Sequence, residues 1–245
     1  MRDWEKEYKN RVEWIKNIAE HSGAKGFVFG NSGGKDSALT GILCAGTGLY
    51  TLGVIMPCNS GVNYTSDTDH ALLLARQFGI NTEKIDLGPV KKQFLKVLDG
   101  INGVQTTKSA DMNINPRLRM TALYAVAQTN GFLVAGTSNK SEYTMGYFTK
   151  WGDGANDFNP IFDLCSDEIL DFLRYLKAPE EIINKQPSAG LFEGQTDETE
   201  MGVTYKAVNE YIRTKKGDPK DIAVIEKAVK NSRHKKEPQN YKEEC

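Results

Sequence analysis

The sequence is poor in the residues that most often announce a metal centre or a redox site. Its four cysteines, Cys44, Cys58, Cys165 and Cys245, stand far apart and form no Cys-x-x-Cys pair, which excludes a zinc knuckle and a dithiol redox motif. The three histidines, His21, His70 and His234, are scattered in the same way. Unpaired cysteines suit a reducing compartment, and the cytoplasm is the expected location. The opening residues, Met1-Arg-Asp-Trp-Glu-Lys-Glu7, lack the apolar core of a signal peptide. The longest purely apolar run, residues 71–75, falls far short of the ~20 residues that cross a bilayer. Nor does one sign of charge dominate. With 31 Lys and Arg against 32 Asp and Glu, neither nucleic acid nor an anionic membrane is an expected partner.

What is present is an ordinary globular composition, 39% hydrophobic and 26% charged, in 245 residues without an internal repeat, a low-complexity tract or a linker. A single domain spanning 1–245 is expected. Residues 3–21 read as an amphipathic helix with Trp4, Tyr8, Val12, Ile15 and Ile18 on one face, so 1–22 form an N-terminal helical segment. Short apolar runs then alternate with helical patterns. Strands are expected at 27–29, 52–56 and 132–135, with a weaker one at 83–87; helices are expected at 36–46, 66–78, 90–98 and 116–129. Apolar strands separated by helices predict an α/β fold, a doubly wound parallel sheet with helices on both faces. Residues 136–165, rich in glycine, asparagine and aspartate, read as a long functional loop. Helices follow at 166–177 and 203–214, and Asp218-Pro219 opens another as N-cap and first helical residue. A basic tail, 232–245, closes the chain; by composition the cluster of Lys227, Lys230, Arg233, His234, Lys235 and Lys236 reads as a solvated helix end.

The most informative stretch is Gly30-Asn-Ser-Gly-Gly-Lys-Asp-Ser37, between a short apolar strand and a helix. Glycines there expose backbone N–H groups at a helix N-terminus, which makes a cradle for an anion. Ser32 and Ser37 add hydroxyls, Lys35 a cation, and Asp36 a hard oxygen suited to magnesium. Three known loops compete for this stretch. A Walker A loop needs glycine where Phe29 stands and Ser or Thr where Asp36 stands, and the Rossmann glycine pattern is absent. Gly30-x-Ser32-x-Gly34 does match the nucleophile elbow of the α/β-hydrolases. That fold needs a histidine after the nucleophile, however, and only His70 and His234 follow, without a His-Gly-Gly-Gly oxyanion segment.

The third loop fits better. Ser32-Gly-Gly-Lys-Asp-Ser37 resembles the pyrophosphate loop of the N-type ATP pyrophosphatases, which cleave ATP between the α and β phosphates and activate a substrate oxygen as an adenylate. Other segments point to one branch of them. Pro116-Arg-Leu-Arg-Met120, Gly136-Thr-Ser-Asn-Lys-Ser-Glu142 and Gly146-Tyr-Phe-Thr-Lys-Trp-Gly-Asp-Gly154 resemble signatures of the NAD synthetases. So do Asp157-Phe-Asn-Pro160, Pro187-Ser-Ala-Gly-Leu191 and Gln195-Thr-Asp-Glu198, and His234-Lys235 is similar to the family's basic tail.

The resemblance implies an adenine-nucleotide α-hydrolase-like, Rossmann-like fold and a ligase acting at the last step of NAD biosynthesis. The nicotinate carboxylate of deamido-NAD would attack the α-phosphorus of ATP, and ammonia would then displace AMP from the acyl-adenylate. No side chain serves as nucleophile. By position, Gly30, Asn31, Ser32, Gly33, Gly34, Lys35, Asp36, Ser37, Thr137 and Ser188 would hold ATP, with Ser166 a further candidate, and Asp36 and Glu142 would hold Mg²⁺. Arg117, Lys150, Asp157, His234 and Lys235 would contact deamido-NAD, and Arg and Lys suit a dinucleotide with two phosphates. The chain departs from the pattern at two places. Ser166 stands where the family has a lysine near the ATP phosphates, leaving that contact absent or supplied by Lys140 or Lys35, and Asn31 replaces a residue that is usually apolar. An RNA-thiolating relative would carry paired cysteines, which are lacking, and a catalytically dead module is opposed by the presence of both Asp36 and Glu142. Only one helix precedes the first strand, so free ammonia, or ammonia from a separate partner, is the expected nitrogen source. The family further implies a homodimer with the dinucleotide near the subunit interface.

Overall fold

The structure, a computed structural model, describes residues 2–58, 64–103, 105–185 and 197–237. An N-terminal helix, α1 (Trp4–Ser22), precedes a sheet of four parallel strands in the order β3-β2-β1-β4. The strands are β1 (Gly26–Gly30), β2 (Tyr50–Ile55), β3 (Asn81–Lys84) and β4 (Phe132–Val134). From β1 the chain passes through α2 (Lys35–Ala45) to the neighbouring β2, and through α3 (Tyr64–Phe78) outward to β3. It then returns through α4 (Gly88–Asp99) and α5 (Lys108–Asn130) and lays β4 on the opposite side of β1. The winding therefore reverses between β1 and β4. In open α/β sheets the crevice beyond the carboxyl ends of two such strands is where ligands bind.

The strand sequences explain both covered faces. Alternate side chains of a strand leave on opposite sides. Phe27 and Phe29 enter a core with Ile15 of α1, Leu39 and Leu43 of α2, and Ile169 and Phe172 of α7 (Ser166–Tyr175). Val28 enters a second core with Leu52 and Val54 of β2, Val134 of β4 and Ala127 of α5. A fully buried Leu or Phe contributes roughly 1.5–3 kcal/mol, so strands buried on both sides must be apolar throughout. The stripe expected on α1 does face this core, and Trp4 stacks on Phe172 with centroids 4.9 Å apart.

The boundaries differ in three places, each for a physical reason. β3 is a polar edge strand, largely exposed, which gives no hydrophobic signal. The expected 83–87 instead marked Ile85 and Leu87, whose N–H groups continue the pairing to Ile55 O at 2.9 Å and Pro57 O at 2.7 Å. α5 starts earlier than 116, where the Thr107 hydroxyl accepts from Ala110 N at 3.2 Å, and it runs on through Pro116. Proline favours the first turn of helices, so Pro116 had the look of a start. Within 136–165 lies a helix, α6 (Lys140–Met145), and a parallel bridge joins Ala135 to Phe158.

The described chain is completed by α8 (Glu180–Ile183), α9 (Asp197–Met201), α10 (Tyr205–Thr214) and α11 (Pro219–Lys236). Met145, Val203, Val208 and Ile225 join α6, α10 and α11 in a small third core. The basic segment from 232 is thus the last turn of a packed helix as far as Lys236. No described helix is long and apolar enough to cross a membrane.

Candidate active site

The loop after β1 is shaped by one glycine. Gly33 has φ 68°, and a Cβ there would lie 2.3 Å from the Asp67 carbonyl oxygen of α3. Only glycine combines that backbone with that approach. Gly34 then caps α2 with an extended backbone and no capping side chain, so a helix N-terminus with its partial positive charge faces the loop. The Ser32 and Ser37 hydroxyl oxygens are 3.0 Å apart, and Ser37 Oγ donates to Gly34 O at 3.0 Å. Ser32 Oγ also accepts from Gly34 N at 3.3 Å. No histidine bonds to it among the described residues, so the triad of a nucleophile elbow is not assembled there. Asn31 turns inward: it is buried, Nδ2 donates to Ala71 O at 3.1 Å, and Oδ1 accepts from Gly33 N at 3.4 Å. Its side chain braces the loop against α3.

The loop after β4 supplies the other half. Buried Asn139 caps α6, accepting from Glu142 N at 3.0 Å, while Glu142 Oε2 accepts from Asn139 N at 3.1 Å. The same side chain donates from Nδ2 to Asp36 Oδ1 at 2.9 Å. Asn139 thereby ties together two carboxylates that the sequence keeps far apart. The Lys35 ammonium pairs with Asp36 Oδ2 and lies 5.5 Å from the Tyr205 ring centroid. Asp197, at the start of α9, adds a third acid, accepting from Tyr205 Oη at 3.0 Å and Tyr147 Oη at 3.2 Å.

Electrostatics follow from this crowding. Burial, reinforced by the Asp36 charge, holds the Glu142 carboxyl well above the usual carboxylate range; Lys35 and the Asn139 N–H oppose it. Burial alone would lower the Lys35 pKa, but the charges of Asp36, Glu142 and Asp197 outweigh it and raise the value. Asp197 is raised by burial, with its Tyr205 hydrogen bond and Lys35 pulling the other way. Among the described residues, these carboxylate oxygens outnumber the Lys35 charge beside them, and hard oxygen donors suit a divalent ion such as Mg²⁺.

Thr137 is half-buried in the same loop, which Thr40 anchors by donating to Gly136 O at 3.1 Å. Ser166, at the first turn of α7, is buried in a closed set of bonds: its N–H donates to Ser141 Oγ at 3.1 Å and its Oγ accepts from Asn209 Nδ2 at 3.1 Å. Ser141 Oγ donates in turn to Asn209 Oδ1 at 2.6 Å. Ser166 and Asn209 form part of the wall of a cavity of about 580 Å³ that Lys35, Tyr205 and Lys206 also line. Ser188 lies outside the described residues, as do residues 187–191 and 195–196 of the quoted segments.

Four of the remaining candidates lie near one another. Arg117 Nε donates to Lys150 O at 3.3 Å, and Lys150 Nζ donates to His234 O at 2.8 Å. Lys235 Nζ donates to Gly146 O and Phe148 O, each at 2.8 Å. Burial lowers the Lys235 pKa, against the pull of Asp153. α11 comes this close because Gly146, at φ 65°, ends α6 where a Cβ would fall 2.0 Å from Ser232 Cβ. Arg117, Lys150, His234 and Lys235 thus form one basic group. Asp157 stands apart from it at the end of β4, accepting from Val134 N at 2.8 Å and Tyr124 Oη at 3.2 Å.

With this geometry in hand, residues 7–243 match the NAD synthase family. The chain belongs to that family. Membership makes it a ligase of NAD biosynthesis with ATP as co-substrate. It is 40% identical over 235 residues to the NH₃-dependent NAD⁺ synthetase of Carboxydothermus hydrogenoformans, covering 96% of each chain. Among solved structures it is similar to the NMN synthetase of Francisella tularensis, with 35% identity, a TM-score of 0.92 and 99% of each chain covered. It is also similar to the NH₃-dependent NAD synthetase of Campylobacter jejuni, with 29% identity, a TM-score of 0.80, and 99% and 100% of the two chains covered. The expected α/β fold is the fold these structures share.

Sequence reasoning gave no individual role to Asn139, Asp197, Tyr205 or Asn209. Asn139 carried a signal in the Asn-x-x-Glu spacing to Glu142, the pattern of a capping box. Asp197 lay within the quoted segment Gln195-Thr-Asp-Glu198, whereas Tyr205 carried no signal, because only tertiary contact sets its ring by Lys35.

Proposed function

We propose that this NAD synthase family member joins ammonia to the nicotinate carboxylate of deamido-NAD, forming NAD, AMP and pyrophosphate from ATP, in the cytoplasm. The supporting observation is the linkage of Asp36 and Glu142 through Asn139, beside the glycine cradle and Lys35. Asp36 and Glu142 are the residues that would hold Mg²⁺, which when bound neutralises phosphate oxygens. The loop N–H groups, Ser32, Ser37 and Thr137 would hold the ATP phosphates by hydrogen bonds. Arg117, Lys150, His234 and Lys235 would pair with the phosphates of the dinucleotide, with Asp157 at its edge.

Two anions must meet for the first step, so the task of these side chains is neutralisation and alignment. A carboxylate oxygen bonds to the α-phosphorus as the bond to the β-phosphate oxygen breaks. Ammonia then adds to the acyl carbon, and AMP departs with the transferred oxygen. No nucleophilic side chain takes part. We further propose a homodimer with the dinucleotide near the interface, supplied with free ammonia or with ammonia from a partner.

Heavy-oxygen labelling tests this scheme. Deamido-NAD labelled in its carboxylate, converted with ATP and ammonium, should deliver one labelled oxygen to AMP. Label confined to NAD and water, or ADP as product, would sink the adenylate scheme.

The likeness to an NMN synthetase favours one second reading, in which the acyl substrate is the mononucleotide of nicotinate. Comparing kcat/KM for deamido-NAD and nicotinate mononucleotide decides it. A preference for the mononucleotide of tenfold or more would reassign the substrate and leave the adenylate chemistry as it stands.

A further inference from the structure

Lys35 is buried, and its ammonium sits against Asp36 Oδ2 with Glu142 and Asp197 close enough to stabilise its charge. Both oxygens of Asp36 are therefore engaged, Oδ1 by Asn139 and Oδ2 by Lys35. Each carboxylate oxygen can accept more than one partner, but a divalent ion at Oδ2 would meet the Lys35 ammonium on the same oxygen, where the two positive charges repel. Asn139 cannot leave without uncapping α6, since its side chain also accepts from Glu142 N and its backbone donates to Glu142. Lys35 can leave, because its ammonium rides on a flexible four-carbon stem. Its base is the first residue of α2, beside the anion cradle of Ser32, Gly34 and Ser37.

We propose that Lys35 is a resident stand-in for the divalent ion: it offsets the carboxylate charge at Asp36 and Glu142 until an arriving polyphosphate draws it into the cradle and frees Asp36 Oδ2. This rests on the proposed role of Asp36 and Glu142 as metal-holding residues. The Asp36 and Glu142 carboxylates, linked through Asn139, repel one another, so they need a positive charge beside them. An internal ammonium supplies it without binding metal in the absence of nucleotide. Metal and nucleotide then enter together, a positive coupling between two ligands through one mobile side chain.

The experiment is a Mn²⁺ titration followed by electron paramagnetic resonance, without nucleotide, on the wild-type chain and on Lys35→Met. Lys35→Met should bind Mn²⁺ roughly tenfold or more tightly than wild type, within the usual range of such couplings. Its melting temperature should rise with Mn²⁺ while that of wild type stays flat. Equal Mn²⁺ affinities in the two proteins would overturn the stand-in role. Adding Asp36→Asn to each separates the two ideas: loss of binding upholds Asp36 as a metal-holding residue whatever Lys35 does, whereas unchanged binding removes that assignment and the stand-in with it. If Lys35→Met folds only when Mn²⁺ is supplied, the proposal is supported; if it fails to fold with Mn²⁺ as well, Lys35→Gln, neutral and able to donate, gives the same comparison.

Discussion

The Asn139 side-chain amide donates to Asp36 Oδ1 at 2.9 Å across a separation of 103 residues. It is the bond that joins the loop after β1 to the loop after β4, and it forms because those strands are neighbours in the sheet. Asn139→Ala should weaken Mn²⁺ affinity in the presence of nucleotide by about 10–100-fold, the usual effect of removing a group that orients metal-holding side chains. It also uncaps α6, at a cost of about 1 kcal/mol. Metal titration and thermal melts measure the two effects separately. A stability loss without a loss of affinity would reduce Asn139 to a helix cap.

Glu142 gives a pH prediction. Its folded-state pKa is raised above the unfolded value, chiefly by burial and then by Asp36. Between the two values the folded protein binds more protons than the unfolded chain, so stability falls as pH rises through that window. In metal-free protein Glu142→Gln should therefore melt higher than wild type above the window and at the same temperature below it. A gain of about 2–4 °C is expected for each kcal/mol relieved. Turnover should collapse in the same variant, because an amide binds a divalent ion poorly. A variant that melts lower at every pH would contradict the sign of the shift.

Gly33→Ala should fail on two counts. The left-handed backbone costs an ordinary residue about 1–3 kcal/mol, and the added methyl cannot stand 2.3 Å from Asp67 O without moving the loop or α3. Calorimetry should show a lower melting temperature, and ATP affinity measured by titration should drop. Wild-type ATP affinity in a folded variant would show that the cradle does not depend on this turn.

Arg117→Ala separates the two substrates. If the basic group of Arg117, Lys150, His234 and Lys235 grips the acyl nucleotide, the KM for that substrate should rise about tenfold or more, since a hydrogen bond to a charged group contributes ~1.5–3 kcal/mol. The KM for ATP should change little. Deleting residues 234–245 should act in the same direction. Small, equal changes in both constants would return the cluster to a packed and solvated helix end.

Ser166→Lys looks from the sequence like the restoration of a phosphate contact. The structure predicts a penalty as well, because Ser166 Oγ accepts from the buried Asn209 amide. Leaving that donor unpaired costs about 1–3 kcal/mol. The variant should melt lower than wild type, and any gain in ATP affinity should be measured beside that loss. Unchanged stability would show that Asn209 finds another partner.

Three of the four strands, most of the long helices and the cradle were legible in the sequence. Apolar runs located β1, β2 and β4, because strands covered on both faces have no polar side to blur the pattern. The glycines, serines, Lys35 and Asp36 of the first loop were legible together, because a turn and the helix start behind it are local geometry set by adjacent residues. Polar β3 escaped, since an exposed edge strand is specified by pairing and not by its own side chains. What only the tertiary structure decided is which residues meet. Asn139 joins Asp36 to Glu142 because the winding reverses between β1 and β4, and helix packing sets Tyr205, which donates to Asp197, beside Lys35. The hydrogen bonds of buried Asn31 to Ala71 O and of Ser166 to Asn209 are likewise set by helix packing. Contacts between residues distant in the chain depend on strand order and helix packing, and no periodicity or spacing within one segment encodes them.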